Sequence, residues 1–211
     1  MKASRFTLVW ICLAICGCSK NINKPTIIAW GDSFTYGTGS TDASYPSVLE
    51  KLSGYRVINR GTAGNTSTQI KNKLLADKQY YRYPSIIWVG RNNLPDSVTI
   101  LKDIDEMVNA LGRSHFLVLS ILNSETEGIG TARYTTIQRI NRQLATAYGN
   151  RFIDIKAYLQ THRDTSLMKD DNITTYDITP TSLRADNLHL NSQGYQLVAQ
   201  KVYESIDILL K

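Results

Sequence analysis

Five short apolar runs, each bounded by turn residues, alternate along the chain with stretches whose apolar positions recur at helical spacing. TIIAW (26–30), YRVIN (55–59), SIIWV (85–89), FLVLSIL (116–122) and RFIDI (151–155) are mostly rich in Ile and Val and predict strands. Runs that are apolar on both faces suit parallel strands covered by helices on either side. The intervening stretches 45–53, 66–77, 98–112, 132–148 and 192–210 predict those helices. In one, Ile100, Ile104, Met107 and Leu111 form a stripe that Gly112 closes. In the last, Leu197, Val198, Val202 and Ile206 form another, behind an N-cap at Asn191 or Ser192. This alternation predicts an α/β fold with a flavodoxin-like, doubly wound, five-stranded parallel sheet. One domain over 25–211 accommodates it, without an internal repeat. The single long irregular stretch, Thr161 to Arg184, reads as a loop.

The first residues belong to a different class. Lys2 and Arg5 precede an apolar stretch from Phe6 to Gly17. That stretch is short of the roughly 20 residues a helix needs to cross a bilayer, and suits an export signal. Ile15-Cys16-Gly17-Cys18 resembles a bacterial lipobox, with a branched residue at −3, a small one at −1 and cysteine next. Residues 1–17 are therefore expected to be a lipoprotein signal peptide, cut to leave a lipidated Cys18. Cutting before Cys16 would put the branched Ile15 at −1, which fits poorly. Ser19 to Lys24 forms a polar linker reaching at most about 20 Å, so the domain is expected close to its membrane, facing the periplasm or cell surface. All three cysteines, Cys12, Cys16 and Cys18, lie here, so the domain must stand on its core without disulfides. Loss of Lys2 and Arg5 leaves 22 of the 24 basic residues against 18 acidic, a net charge of +4 instead of +6. So mild a balance implies no nucleic-acid partner.

Candidate chemistry collects at strand ends, where open parallel sheets bind ligands. The first strand runs into Gly31-Asp32-Ser33, the second into NRGTAGNTS (59–67), and the third into GRNN (90–93). DNLHLN (186–191) stands just before the last helix. Ser33 is a candidate nucleophile, lifted off a strand end. Of the three histidines, His115 precedes a strand and His162 lies in a polar segment, whereas His189 alone has a carboxylate, Asp186, three residues earlier. At that spacing one turn can bring the carboxylate to imidazole Nδ1, as in serine triads. The G-x-S-x-G elbow, the phosphate loop, H-E-x-x-H and paired-cysteine metal sites do not occur, and Gly37 and Gly39 fall short of a dinucleotide fingerprint.

Taken together, these four blocks, in this order and across nearly the whole chain after residue 24, resemble the SGNH or GDSL-type esterases and lipases. The resemblance implies a serine nucleophile at Ser33, a base at His189 and an orienting carboxylate at Asp186. It also implies three oxyanion donors: the N–H of Ser33, the N–H of a glycine in the second block, and the Asn92 side chain. Gly64 is assigned as that glycine because Asn65-Thr66-Ser67 leads into a helix, with Gly61 as runner-up. No metal or cofactor is implied. The chain departs from the family pattern at Phe34, where leucine is usual, and at Asn93, where aspartate often stands.

The expected activity is hydrolysis of short acyl esters, with acetyl groups on an envelope polysaccharide as one substrate class. Two alternatives stand beside it: a glycan O-acyltransferase on the same fold, and a non-catalytic glycan-binding lipoprotein. KQYYRY (78–83) offers aromatic rings for stacking on sugar or for packing at a helix–strand corner. Arg91 either pairs with a surface carboxylate or stands at the cleft rim to receive an anionic substrate.

Overall fold

A computed structural model describes residues 25–167 and 176–211. The expected signal peptide (1–17), the lipidated Cys18 with its linker (18–24) and the middle of the 161–184 stretch lie outside the described residues.

Five parallel strands, β1 (Thr26–Gly31), β2 (Arg56–Gly61), β3 (Ser85–Trp88), β4 (Phe116–Leu119) and β5 (Phe152–Ile153), form one sheet in the order β2-β1-β3-β4-β5. The helices are α1 (Ser33–Tyr36), α2 (Tyr45–Ser53), α3 (Ser67–Ala76), α4 (Ser97–Ala110) and α5 (Ala132–Tyr148). They are followed by α6 (Ile155–Thr161), α7 (Ser192–Glu204) and α8 (Ile206–Leu210). Side chains alternate across each strand, so one sheet carries two cores. Ile27, Ala29, Ile86, Trp88, Leu117 and Leu119 pack with Tyr45, Leu49, Tyr195, Val198 and Val202 on one face. Ile28, Trp30, Ile87 and Val118 pack with Ile70, Leu74, Ile100, Ile104, Met107, Ile140 and Leu144 on the other. Each fully buried Ile or Leu is worth about 1.5–3 kcal/mol relative to exposure.

Two boundaries differ from the periodicity. The run 151–155 reads as one strand, but β5 ends at Ile153 because the Asp154 carboxylate accepts the Ala157 N–H at 3.0 Å and starts α6. The last helix is two segments, broken at Ser205; the break turns Leu209, fully buried, onto the sheet. Asn191 is the cap of α7, accepting the Gly194 N–H at 3.0 Å.

The register matters most for the site. Gly31 pairs with Gly61 on one side and Trp88 on the other, so β1, β2 and β3 end at one level. The chain leaves β1 for β2 on one flank and β3 on the other, which opens a crevice at that switch point. Beyond α6, the far side of the 161–184 stretch is pinned by Asp177. Its carboxylate receives Lys156 Nζ at 2.6 Å, Gln138 Nε2 at 2.7 Å, Tyr134 OH at 2.9 Å and Gln160 Nε2 at 2.9 Å. The KQYYRY rings serve as packing: Tyr80 meets Trp30 edge-on, and Tyr81 and Tyr83 lie against the core beneath α3. Arg60 pairs with Asp77 and covers the Trp30 and Tyr80 rings, and Arg82 of the run lies over its own neighbour Tyr83.

Candidate active site

Ser33 opens α1, a single turn begun by Asp32, whose carboxylate accepts the Phe34 N–H at 3.1 Å. The turn holds Ser33 at the end of β1, with only 5% of its surface exposed. His189 Nε2 lies 3.0 Å from Ser33 Oγ. His189 Nδ1 lies 2.9 Å from Asp186 Oδ2. The other oxygen of Asp186 accepts the N–H groups of Leu188 at 2.7 Å and His189 at 2.6 Å, which closes the loop into one rigid turn. Ala185 N–H donates to His189 C=O at 2.8 Å, sealing its neck. Partial burial pushes the Asp186 carboxyl up, but bonds from the His189 ring, the His189 N–H and the Leu188 N–H outweigh it and hold it below 3.8. It is therefore ionised where an imidazole would need it. The Phe34 ring backs the His189 ring at 5.6 Å and itself leans on Trp88 at 5.0 Å, so the departure from leucine puts an aromatic wall behind the imidazole.

Opposite this turn stand the second and third blocks. Gly61 is occupied: its N–H donates to Asn59 Oδ1 at 2.8 Å, and a Cβ there would strike Tyr36 N at 2.3 Å. Its glycine serves the close approach of α1 to β2. Gly64 adopts a φ of +79°, in the left-handed region that favours glycine, with open space where a Cβ would be. The Asn92 side-chain amide donates to Asn65 C=O at 2.9 Å, which ties the third block to the second and leaves its other N–H to give.

Two buried carboxylates support these loops. Asp103 accepts Ser67 Oγ and Thr68 Oγ1, each at 2.6 Å, and pairs with Lys71 Nζ at 2.8 Å. Ser67 also takes the Asn93 amide at 2.9 Å and gives its N–H back to Asn93 at 3.1 Å. Asn93 thus supports its loop with both ends of the amide, where an aspartate could offer acceptors alone. Asp103 had one signal in sequence: a carboxylate between Ile100 and Ile104 on an otherwise apolar stripe. Glu127, on the loop after β4, had none. It meets Arg91 in a bidentate pair at 2.6 and 2.9 Å. Arg91 and Glu127 side chains are 9% and 5% exposed, so Arg91 faces inward and its partner is buried. Of the two alternatives for Arg91, pairing with a carboxylate holds, though the partner is the buried Glu127 and not a surface group; the rim arginine that receives anionic substrate is corrected, because the guanidinium is consumed by Glu127. His115 sits ahead of β4, and His162 Nδ1 meets Tyr158 C=O at the end of α6, both apart from this cluster.

Among the described residues, Asp32 has the most perturbed carboxyl group. Burial pushes its carboxyl up to about 6, against the N–H groups of Phe34 and Arg91 and the charges of His189 and Arg91. A carboxyl raised from 3.8 to about 6 on folding holds its proton better in the native state. Its contribution to stability is full below about pH 4 and is lost as pH rises through about 6, on the order of 3 kcal/mol. The stability advantage of wild type over Asp32→Asn, from chemical denaturation, is expected to shrink by that order between pH 4 and pH 7. A constant difference would place the perturbation elsewhere.

An alcohol, an imidazole and a carboxylate in this sequence of bonds can transfer an acyl group, given donors for the oxyanion. The comparisons with known proteins point the same way. A model of the GDSL-like Lipase/Acylhydrolase family matches residues 29–197, from within β1 into α7. A search of curated proteins returned no match. Among solved structures, the chain is similar to a protein assigned to the lipolytic G-D-S-L family from Desulfitobacterium hafniense DCB-2. There the TM-score is 0.67 and identity 21%, over 86% of this chain and 99% of that one. A lipase/acylhydrolase from Enterococcus faecalis gives 0.65 and 19%, over 86% and 95%. A psychrotrophic esterase from Pseudoalteromonas sp., in a structure inhibited by monoethylphosphonate, gives 0.62 and 16%, over 89% and 99%. At these identities the structures bear on the fold; kinship rests on the family model. Since that model runs over most of the chain, from the strand before Ser33 to beyond His189, the protein belongs to the GDSL-like lipase/acylhydrolase family and is an SGNH-type hydrolase.

Proposed function

We propose that the protein is an exported serine esterase, held to its membrane through Cys18, that hydrolyses short acyl esters such as O-acetyl groups on envelope glycans. The observation that carries the chemistry is the run of bonds from Ser33 Oγ to His189 Nε2 and from His189 Nδ1 to Asp186, at 3.0 and 2.9 Å. Ser33 attacks the ester carbonyl while His189 takes its proton. Asp186 keeps the remaining imidazole proton on Nδ1 and stabilises the imidazolium. The oxyanion is held by the N–H groups of Ser33 and Gly64 and by Asn92 Nδ2, each donor worth about 10²–10³ in rate. His189 then protonates the leaving alkoxide, and water, activated by the same imidazole, releases the acid.

Short acyl groups are favoured by what surrounds the turn. The loops GTGSTDAS (37–44), TAGNT (62–66) and SETEGIGT (124–131) are small and mostly polar, a poor bed for a long alkyl chain. A panel of esters from acetyl to long acyl, on synthetic and glycan alcohols, tests this. Turnover is expected to be fastest at acetyl and to fall with chain length. A preference for long chains would reject the substrate class, and acylated acceptor in place of free acid would make the enzyme a transferase.

The anchor rests on the lipobox-like Ile15 to Cys18 and on the lack of cysteine after it. Among the described residues, no helix is long and apolar enough to cross a membrane. Cys18→Ser is expected to abolish palmitate labelling and release the protein from the membrane fraction while esterase activity persists. Continued labelling would move the lipid to another residue.

A further inference from the structure

We propose that Glu127 is a positioning residue for ester hydrolysis, clamping the Arg91 guanidinium so that the Gly90–Asn92 turn aims the Asn92 amide at the oxyanion. The proposal rests on the reading of Asn92 as an oxyanion donor. Glu127 is buried, and its acceptor directions are used up. One oxygen takes Arg91 Nη1 at 2.6 Å and Ser124 N–H at 2.9 Å; the other takes Arg91 Nη2 at 2.9 Å and Arg133 Nη1 at 3.2 Å. Burial pushes its carboxyl up, but Arg91 and the Ser124 N–H outweigh it, so the pair stays charged at neutral pH.

Arg91 is held at two points. Its side chain lies in this planar, two-bond fork, which fixes direction as well as distance. Its backbone N–H faces the Asp32 carboxylate, one residue before Ser33. Asn92 is the next residue, and its amide is steadied by Asn65 C=O at 2.9 Å. The loop that carries Glu127 is itself fixed to the other half of the site. Asn123 Nδ2 donates to Glu127 C=O at 2.9 Å, and the Glu125 N–H donates to Asn187 C=O at 2.8 Å, inside the turn from Asp186 to His189. One short loop therefore touches both the turn that bears the base and the block that bears Asn92.

A buried ion pair is weak evidence for stability, since well-packed apolar residues often replace it at little cost. What such residues lack is direction, and a displacement of about 1 Å at a reacting site can cost about 10²-fold in rate. Glu127→Gln keeps the shape but turns a donor toward the guanidinium. It is expected to lower kcat on a short-chain ester about 30-fold with KM within about twofold. On top of Asn92→Ala, the same change is expected to cost less than about threefold, because the group it aims is already gone. Equal losses in both backgrounds would overturn the positioning role. If Asn92→Ala alone left kcat unchanged, the oxyanion assignment would fail first and this proposal with it, a result distinct from additivity. Should Glu127→Gln not fold, the double variant Arg91→Met with Glu127→Leu replaces the whole pair. Its melting temperature is expected near wild type with kcat still lowered about 10-fold or more. Wild-type kcat in that variant would reduce the pair to filler and overturn the proposal.

Discussion

Ser33→Ala is expected to lower ester hydrolysis by about 10⁵–10⁶-fold while the protein stays folded. The magnitude follows from the covalent route: without Oγ there is no acyl-enzyme, and His189 has no proton to accept. The residue is small, and the change removes one bond, that to His189 Nε2 at 3.0 Å. Such a bond contributes about 0.5–1.5 kcal/mol, so the melting temperature should fall by a few degrees at most. The Asp32 cap and the aromatic wall of Phe34 do not depend on the hydroxyl. Steady-state kinetics and a thermal melt on the same preparation check both halves. Retained turnover would remove Ser33 from the mechanism.

Asp186→Asn is expected to cost about 10⁴ in kcat for a different reason. Asparagine keeps an oxygen where Asp186 Oδ1 now accepts the Leu188 and His189 N–H groups, so the turn should survive. It would place an NH₂ opposite His189 Nδ1, where Oδ2 now stands. The imidazole would answer by accepting at Nδ1 and carrying its proton on Nε2, where it donates to Ser33 instead of accepting from it. The base would be present, well placed and in the wrong tautomer. A loss confined to KM, or one matched by loss of fold, would argue that Asp186 only shapes the loop.

The two substitutions also mark what a sequence can disclose. Ser33 stands in the turn that follows a strand, and Asp186 and His189 lie three residues apart, so local rules suffice to place the first and to pair the other two. The strands and longer helices were legible for the same reason, since short apolar runs between turn residues and a period of 3.6 are local signals that survive any tertiary arrangement. Gly64 was preferred to Gly61 through the resemblance alone, whereas the use of the Gly61 N–H by Asn59 and its closeness to Tyr36 appear only in the fold. Arg91 could be given a carboxylate partner but not which one, because Glu127 lies 36 residues away on a loop with no pattern of its own. Asp103 meets Ser67 across the same separation, although its place on an apolar helical stripe was a readable oddity. Asp154 was absorbed into a strand because it lies between the apolar Phe152-Ile153 and Ile155 in one short run, and only the Ala157 N–H shows it to be a helix cap. The supports of the site are tertiary, and so they escape the local rules that point to Ser33, Asp186 and His189.

The central claim, that Ser33 is the nucleophile of an esterase, is tested most directly by inactivating the protein with a reactive alkyl phosphonate and mapping the adduct by mass spectrometry. The account predicts one adduct per molecule, on Ser33, formed in proportion to lost esterase activity and absent from Ser33→Ala. An adduct on another serine, such as Ser40 or Ser67, or undiminished labelling of Ser33→Ala, would contradict it.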